Sequence, residues 1–169
     1  MEHMAKVLVV NQERCTGCRL CESVCAVKHD GAVNPMRARI KIEKWEHEGL
    51  YVPMICQHCQ DAPCMNVCPV KAITRDEELA RVAVDYDLCI GCRSCVAVCP
   101  FGAMNFNTID KKVIKCDLCD GEPQCVRFCD IKAVDYVDAA KVSIEKKRDA
   151  AHKLATAKKQ GVDLVAGAH

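Results

Sequence analysis

Aromatic side chains are scarce in this 169-residue chain: phenylalanine, tryptophan and tyrosine make up 4%, and Trp45 is the single tryptophan. Such side chains usually contribute much of the packing in a protein core. A chain of this length forms one domain or two small ones, and small domains often need disulfides or metal for stability. Aromatic packing therefore cannot account for the interior.

Long apolar runs are lacking as well. Stretches such as residues 7–10 are far shorter than the ~20 residues of a membrane helix, so we expect no membrane span. Residues 1–10 contain neither the apolar core of a secretion signal nor a twin-arginine pair. This absence favours a cytoplasmic, reducing location.

Signatures of catalysis are also missing. The chain contains no glycine-rich phosphate loop and no recognisable nucleophile constellation. We therefore expect that the chain is not an enzyme by itself and that substrate chemistry lies on another chain.

Cysteine, by contrast, is abundant: sixteen residues form four groups of four, with none left over. In a reducing compartment this density indicates metal ligation rather than disulfides. The first and third groups have the spacing C-x2-C-x2-C-x3-C of bacterial ferredoxins, and the third continues into Pro100. The second and fourth carry two and three extra residues before the third cysteine. The groups are Cys15, Cys18, Cys21 and Cys25; Cys56, Cys59, Cys64 and Cys68; Cys89, Cys92, Cys95 and Cys99; and Cys116, Cys119, Cys125 and Cys129.

This spacing predicts [4Fe-4S] clusters held by cysteine thiolates. Three closely spaced cysteines cover one face of a cluster, and in two-cluster ferredoxins the fourth ligand is the last cysteine of the other motif. Motifs therefore work in pairs, and four motifs predict four [4Fe-4S] clusters. Zinc is the alternative, but zinc knuckles contribute two cysteines each and leave the third and fourth cysteines of a group without a role.

Cluster binding would change the charge of the chain. The formal net charge of +1 counts the thiols as neutral. An oxidised [4Fe-4S] core with four thiolates carries about −2, so four clusters bring the total to about −7. An acidic holoprotein is a poor match for a polyanion, and we expect no nucleic acid as the main partner.

Sequence repeats predict the fold class. Residues 70–73, 101–104 and 131–134 share the pattern apolar-x-Ala-apolar after the last cysteine of their motifs, which indicates internal duplication; the first motif departs from it. A short helix is expected between the third and fourth cysteine of each motif. Together these features predict an α+β chain of ferredoxin-like modules. Short strands are predicted at residues 7–10, 39–42, 50–53, 82–84, 104–106 and 113–115.

The separation of the motifs indicates how they pair. The second and third have an ordinary ferredoxin separation and both continue into proline, so they predict an inner module over residues 51–106. The first and fourth would then form an outer module split between residues 1–50 and 107–137. Residues 138–169 follow as a helical tail.

This nested arrangement resembles the sixteen-cysteine iron–sulfur subunits of the dimethyl sulfoxide reductase and formate dehydrogenase family, over roughly residues 6–137. The compact form, for which we expect no membrane anchor, has a first motif that opens Cys-Thr-Gly-Cys-Arg. It is most similar to small electron-transfer subunits of tungsten-containing aldehyde oxidoreductase complexes and of hydrogenase or formate-oxidising complexes. Ala26 and Asp130 replace the proline that follows the fourth cysteine, which removes no ligand. The resemblance implies four crossed ligand sets: Cys15, Cys18, Cys21 with Cys129; Cys116, Cys119, Cys125 with Cys25; Cys56, Cys59, Cys64 with Cys99; and Cys89, Cys92, Cys95 with Cys68.

Several polar residues lie beside the cysteines. His58 could replace a ligand or tune a potential, or could simply pack beside the cluster. Arg19 and Arg93 follow the second cysteine of their motifs, and Lys71 and Lys132 occupy equal places in the repeat. These cations either offset cluster charge and raise the potential or coat the surface.

The predicted function is electron transfer. The first interpretation is a subunit that conducts electrons through four clusters between a large catalytic oxidoreductase subunit, such as a tungsten or molybdenum aldehyde oxidoreductase, and a redox partner. The second is a free polyferredoxin shuttle that visits several enzymes. The third, from another class, is a zinc-stapled interaction protein, which would be colourless where an iron–sulfur protein is brown.

The tail predicts a basic helix over residues 141–160, where seven lysines and arginines face two acidic residues and give a charge of +5. Such a helix either remains a solvated face or docks on an acidic, cluster-bearing surface. That surface would belong to the catalytic subunit or to a further copy of this chain, and head-to-tail copies would join their clusters into a longer wire.

Deletion of residues 142–169 tests the docking hypothesis. Loss of the basic helix should then shrink the assembly and slow electron transfer at low salt, because charge attraction between exposed groups is screened as salt rises. Size-exclusion chromatography and transfer rates measure both effects. Complexes and rates that match those of the full chain would leave the solvated helix as the correct interpretation.

Overall fold

The computed structural model of the chain describes residues 6–142. The elements in this range are short, and the longest is an eleven-residue helix. The strands are β1 Lys6–Val10, β2 Lys41–Trp45, β3 Leu50–Met54, β4 Ile73–Asp76, β5 Arg81–Val84, β6 Asn105–Asn107, β7 Lys112–Ile114 and β8 Val134–Asp138. The helices are α1 Leu20–Asp30, α2 Pro63–Asn66, α3 Ser94–Ala97 and α4 Gln124–Arg127, and residues 139–142 are also helical. Single 3-10 turns occupy Gln12–Arg14, Pro35–Arg37 and Leu118–Gly121.

The strands form antiparallel pairs. Three pairs are local hairpins, β2 with β3, β4 with β5 and β6 with β7. The fourth joins distant parts of the chain, because β1 pairs with β8 in a register that sets Lys6 opposite Asp138 and Val10 opposite Val134. Helices α1 and α4 also pack against each other. The segments that carry the first and fourth cysteine motifs are thereby held side by side.

Buried apolar side chains form two cores, and cysteines belong to both. The first contains cysteines of the first and fourth motifs together with Leu8, Ile40, Ile42, Ile55 and Val134. The second contains cysteines of the second and third motifs together with Ala62, Ile73, Val82, Met104 and Val113. Hairpin β2–β3 spans residue 50 and hairpin β6–β7 spans residue 106, where the predicted modules meet.

One backbone turn recurs in all four motifs. The residue just before the second cysteine has a left-handed φ each time: 69° at Gly17, 46° at His58, 69° at Gly91 and 59° at Leu118. Glycine adopts this conformation without cost, whereas other residues need support from their surroundings. The repeated turn shows that the motifs share a local structure despite their different spacings.

A second recurrent turn leads out of three motifs. The third residue after the last cysteine is left-handed at Lys71, Gly102 and Lys132, and the next strand begins within three residues. The alanine of the repeat, which follows this turn residue, is buried in each case. The first motif departs, as its sequence indicates, because α1 continues to Asp30 and ends at Gly31 with φ 70°.

The α+β prediction of short strands and helices is confirmed, with local corrections. The strand predicted at residues 39–42 begins later, at Lys41, because the backbone N–H of Arg39 donates to Cys25 Sγ instead of a ladder. Strands β4 and β8 are absent from the sequence-based prediction, since their acidic and polar residues lower strand propensity and pairing with β5 and β1 stabilises them. The helix of the first motif is also longer than the short one predicted.

Substitution of Gly91 with alanine should destabilise the protein. A β-carbon there would overlap the carbonyl oxygen of Lys111, and the left-handed φ adds about 1–2 kcal/mol for any residue with a β-carbon. Gly102 is the matched control: it has φ +57° but no atom within 4 Å of such a β-carbon. Bleaching of the visible absorbance in denaturant should therefore begin at a lower concentration in G91A than in G102A, and equal midpoints would contradict the overlap.

Candidate metal sites

The first candidate site joins two distant motifs. Cys15, Cys18 and Cys21 line one cavity together with Cys129. The β1–β8 pair and the contact of α1 with α4 bring the fourth cysteine there. Cys18 is exposed, and Phe128 and its apolar neighbours lie on the rim. Four sulfur donors therefore surround a cavity that opens to the surface.

The second site is more enclosed and uses the same two motifs in reverse. Cys116, Cys119 and Cys125 line a cavity together with Cys25. Its other walls are largely apolar and include Leu8, Ile40 and Ile55. The backbone N–H of Arg39 donates to Cys25 Sγ at 3.2 Å, so this sulfur already has a hydrogen-bond donor.

The third site belongs to the second and third motifs. Cys56, Cys59 and Cys64 line a cavity with Cys99, and His58 and Lys115 also contribute to its wall. The remaining cysteines lie nearby: Cys68, Cys89 and Cys95 belong to the second core, and Cys92 is exposed. The backbone and side chain of Ser94 donate to Cys92 Sγ and lower the pKa of that exposed thiol.

Burial makes some of these sulfurs poor anions unless a cation binds. It raises the pKa of Cys21 and Cys116 to about 12 and that of Cys95 to about 11, so their thiols carry protons at neutral pH. A metal must therefore displace those protons, which soft thiophilic ions do well. Sets of four cysteines suit either zinc or iron–sulfur clusters.

An orphaned polar atom distinguishes the two. The Val82 N–H donates to His58 Nδ1 at 3.0 Å, which leaves the imidazole proton on Nε2. That buried Nε2 has no partner among the described residues. A zinc ion with four thiolates adds no further acceptor atoms, whereas the sulfides of an iron–sulfur cluster accept hydrogen bonds. The third site therefore fits a cluster.

Family comparison agrees with this chemistry. The model of a 4Fe-4S dicluster domain matches residues 47–139, which is more than half of the chain, and that of a 4Fe-4S binding domain matches residues 8–25. The chain belongs to the 4Fe-4S dicluster domain family. The two matched ranges together contain all sixteen cysteines, and the iron–sulfur prediction is confirmed over the zinc alternative.

Curated relatives carry polyferredoxin-like, iron-sulfur and electron-transport names. The chain is 39% identical over 93 residues to the polyferredoxin-like subunit of aliphatic sulfonate oxidoreductase of Pyrococcus furiosus, covering 55% of this chain and 53% of that one. It is 38% identical to a putative iron-sulfur subunit of dimethyl sulfoxide reductase of Halobacterium salinarum, with coverage of 59% and 44%. It is also 38% identical to the putative electron transport protein YsaA of Escherichia coli, with coverage of 67% and 75%. The chain thus spans about half the length of the first two relatives and most of the third, and is a ferredoxin-like electron carrier.

Solved structures show the same fold. A chain of the active site complex BamBC of benzoyl coenzyme A reductase with benzoyl-CoA matches with a TM-score of 0.50 and 22% identity, over 84% of this chain and 88% of that one. Among residues 6–142, no helix has the length and apolarity to cross a bilayer.

The polar residues noted in the sequence differ in their roles. Arg19 forms an ion pair at 2.5 Å with Glu22, whose buried carboxylate also accepts the N–H of Ile42 at 2.8 Å. This pairing neutralises Arg19. Arg93 lies 3.9 Å from the ring centre of Phe106 and stacks on it. Trp45 is half exposed on a hairpin.

The loop of the fourth motif is fixed by a small charge network around Asp117. Arg39 forms an ion pair with Asp117, and His29 Nε2 lies 3.1 Å from the same carboxylate. Burial opposes a charge on His29, but its bonds to Asp117 and its neighbours raise the pKa of His29 to about 12. From the β4–β5 hairpin, Arg81 reaches the Asp117 carbonyl at 2.6 Å and Asp120 at 2.6 Å. These contacts tie the two cores together.

Sequence reasoning missed Lys115. Within residues 6–142, it is the lysine whose ammonium contacts a cysteine sulfur. It lies directly after β7, is 2% exposed, and its Nζ is 3.1 Å from Cys56 Sγ. The sequence does place this lysine between an apolar strand and a cysteine motif. The burial of its side chain, however, depends on the tertiary packing.

Proposed function

We propose that this chain is an electron-transfer subunit with four [4Fe-4S] clusters that conducts electrons between a large catalytic oxidoreductase subunit and a redox partner. The observation that carries this proposal is that three cavities each combine three cysteines of one motif with the last cysteine of another. When bound, each cluster would accept and release one electron.

The proposed ligand sets follow these cavities. Each set takes the first three cysteines of a motif and the last cysteine of its partner motif. The fourth set completes the pattern with Cys68, Cys89 and Cys95 in the second core and Cys92 at the surface. The sets are Cys15, Cys18, Cys21 with Cys129; Cys116, Cys119, Cys125 with Cys25; Cys56, Cys59, Cys64 with Cys99; and Cys89, Cys92, Cys95 with Cys68.

The same pairing supports the nested organisation. An outer module would comprise residues 1–50 and 107–137, and an inner one residues 51–106. The β1–β8 pair and the cysteine content of each core support it, while Ile55 of the inner range and Val113 of the outer range pack across the boundary. The hairpins that cross residues 50 and 106 would then act as the junctions between the modules.

The four sets would form a line. Lys115 Nζ lies 3.1 Å from Cys56 Sγ of the inner module and 3.4 Å from the Cys116 carbonyl oxygen of the outer one, so these two cysteines lie close together. Cys18 and Cys92 are exposed. The sets of Cys56 and Cys116 would therefore meet in the middle, and electrons would enter and leave beside Cys18 and Cys92.

Exposed apolar side chains mark both proposed ends. Leu20, Phe128 and Ile131 lie on the rim of the cavity of Cys18. Leu88 and Ile90 flank Cys89, and both are more than half exposed. Apolar rims of this kind exclude water from a contact with another protein and shorten the path to its cofactor.

The nature of the partner is the finer part of the proposal. The names of the sulfonate oxidoreductase and dimethyl sulfoxide reductase subunits support a large catalytic chain. The resemblance noted in the sequence points to a tungsten or molybdenum aldehyde oxidoreductase. A wire of self-associated copies through the tail depends on residues outside the described range and stays a prediction.

The native assembly and its metal content test this function. The purified protein should contain about sixteen iron and sixteen sulfide per chain, which is the content of four clusters. Purified from its native source, it should elute with a large catalytic chain at a fixed ratio. Elution alone with full iron would favour the free polyferredoxin shuttle, and an iron content of about half would overturn the four-cluster count.

Serine at position 129 tests the crossed ligand sets. Cys129→Ser should remove the electron paramagnetic resonance signal that Cys15→Ser removes, because both residues line the first cavity. The mirror control is Cys25→Ser, which should remove the same signal as Cys116→Ser. If Cys129→Ser instead reproduces the spectrum of Cys116→Ser, the last cysteine of each motif serves its own site and the crossed assignment is wrong.

A further inference from the structure

A buried ammonium lies between two of the proposed sites. Lys115 Nζ donates to Cys56 Sγ at 3.1 Å, to the Val82 carbonyl at 2.5 Å and toward the Cys116 carbonyl at 3.4 Å. Cys56 belongs to the inner module, whereas Cys116 belongs to the outer one. Lys115 therefore bridges the two modules with a charge.

No carboxylate neutralises this ammonium within residues 6–142. The ion pairs of that range involve other lysines and arginines, and the polar contacts of Lys115 are carbonyls, an imidazole nitrogen and the sulfur. A buried charge without a counter-ion is costly, and proteins retain such charges when an opposite charge lies next to them. The anionic group next to Lys115 is therefore the thiolate of Cys56 together with the cluster that this thiolate would bind.

His58 adds a second donor to the same wall. Its Nδ1 accepts from Val82 N–H and faces Lys115 Nζ at 3.5 Å, so the Nε2 proton is left without a partner among the described residues. Both side chains line the cavity of Cys56, Cys59, Cys64 and Cys99. This cavity thus has a cation and a neutral N–H donor in its wall.

We infer that Lys115 is the counter-ion of the cluster held by Cys56, Cys59, Cys64 and Cys99, and that with His58 it raises the reduction potential of this cluster. The inference rests on the proposed function and adds a residue, Lys115, whose charge sets the potential of one cluster. Cations and hydrogen bonds to the sulfurs stabilise the more negative, reduced state. The step transfers one electron from a neighbouring donor site, and no bond is made or broken.

This role places the electron at the junction of the modules. The neighbouring set contains Cys116, the residue that follows Lys115 in the chain. A raised potential at the set of Cys56 would hold an incoming electron between the two halves of the line. Arg19 plays no such role at the first site, because Glu22 already neutralises it.

Potentiometric titration of the holoprotein, monitored by electron paramagnetic resonance, tests the inference. Lys115→Met removes both the charge and the hydrogen-bond donor. It should lower the equilibrium constant for reduction of one cluster at least tenfold, which corresponds to a fall of about 59 mV in its one-electron potential. The affected signal should be the one lost in Cys59→Ser. Lys112→Met is the matched control, since it removes an exposed lysine from β7 and should leave every potential unchanged.

A second variant and a measurement on the wild type guard against misfolding. Lys115→Gln retains an N–H donor without the charge and should cause a smaller fall than Lys115→Met. In wild-type protein labelled with lysine-15N, pulsed resonance should detect a lysine nitrogen coupled to one reduced cluster. Absence of this coupling overturns the inference even if neither variant binds iron.

The outcomes separate this inference from the proposed function. Unchanged potentials in Lys115→Met at full iron content overturn the role of Lys115 and leave electron transfer intact. A wild-type chain with about half the expected iron would contradict the four-cluster function, whatever the variants show. An equal fall in Lys112→Met and Lys115→Met would show a general charge effect and would also overturn the inference.

Discussion

Four sulfur ligands around one cavity cannot all come from a single short loop, and the rest of the chain depends on this constraint. Three closely spaced cysteines occupy one side, so another segment must bring the fourth. Here Cys129 reaches the cavity of Cys15, Cys18 and Cys21 through the β1–β8 pair and the packing of α1 on α4. The contacts that build the sites are therefore also those that close the fold.

Negative charge in the interior is the second consequence. Sulfur ligands and their metal carry a net negative charge into cavities whose other walls are largely apolar. Hydrogen-bond donors surround this negative charge: the Arg39 N–H at Cys25, the ammonium of Lys115 at Cys56 and the unpartnered N–H of His58. The chain has few aromatic side chains. These polar contacts and the packing of the cavity walls therefore supply much of the stability that aromatic packing gives to an ordinary core.

Predictions from local sequence differ in their success for physical reasons. The strands β1, β3 and β5 are recognisable from β-branched residues, whereas β4 and β8 depend on their partners. Arg19 is a candidate for offsetting cluster charge by sequence, but its pairing with Glu22 removes the free charge. Lys115 escapes sequence reasoning because a lysine is exposed by default, and burial between two modules is a property of the packing.

The cysteine spacing by itself determined the class of cofactor, the ferredoxin-like fold class and the electron-transfer chemistry. It could do so because the spacing of ligands along a loop is a local property that matches the geometry of one metal group. The tertiary structure decided which cysteines share a cavity, which of them reach the surface, and which cation lies against a sulfur. These features depend on contacts between residues far apart in the chain, such as Lys115 with Cys56, and no local pattern encodes the distance between them.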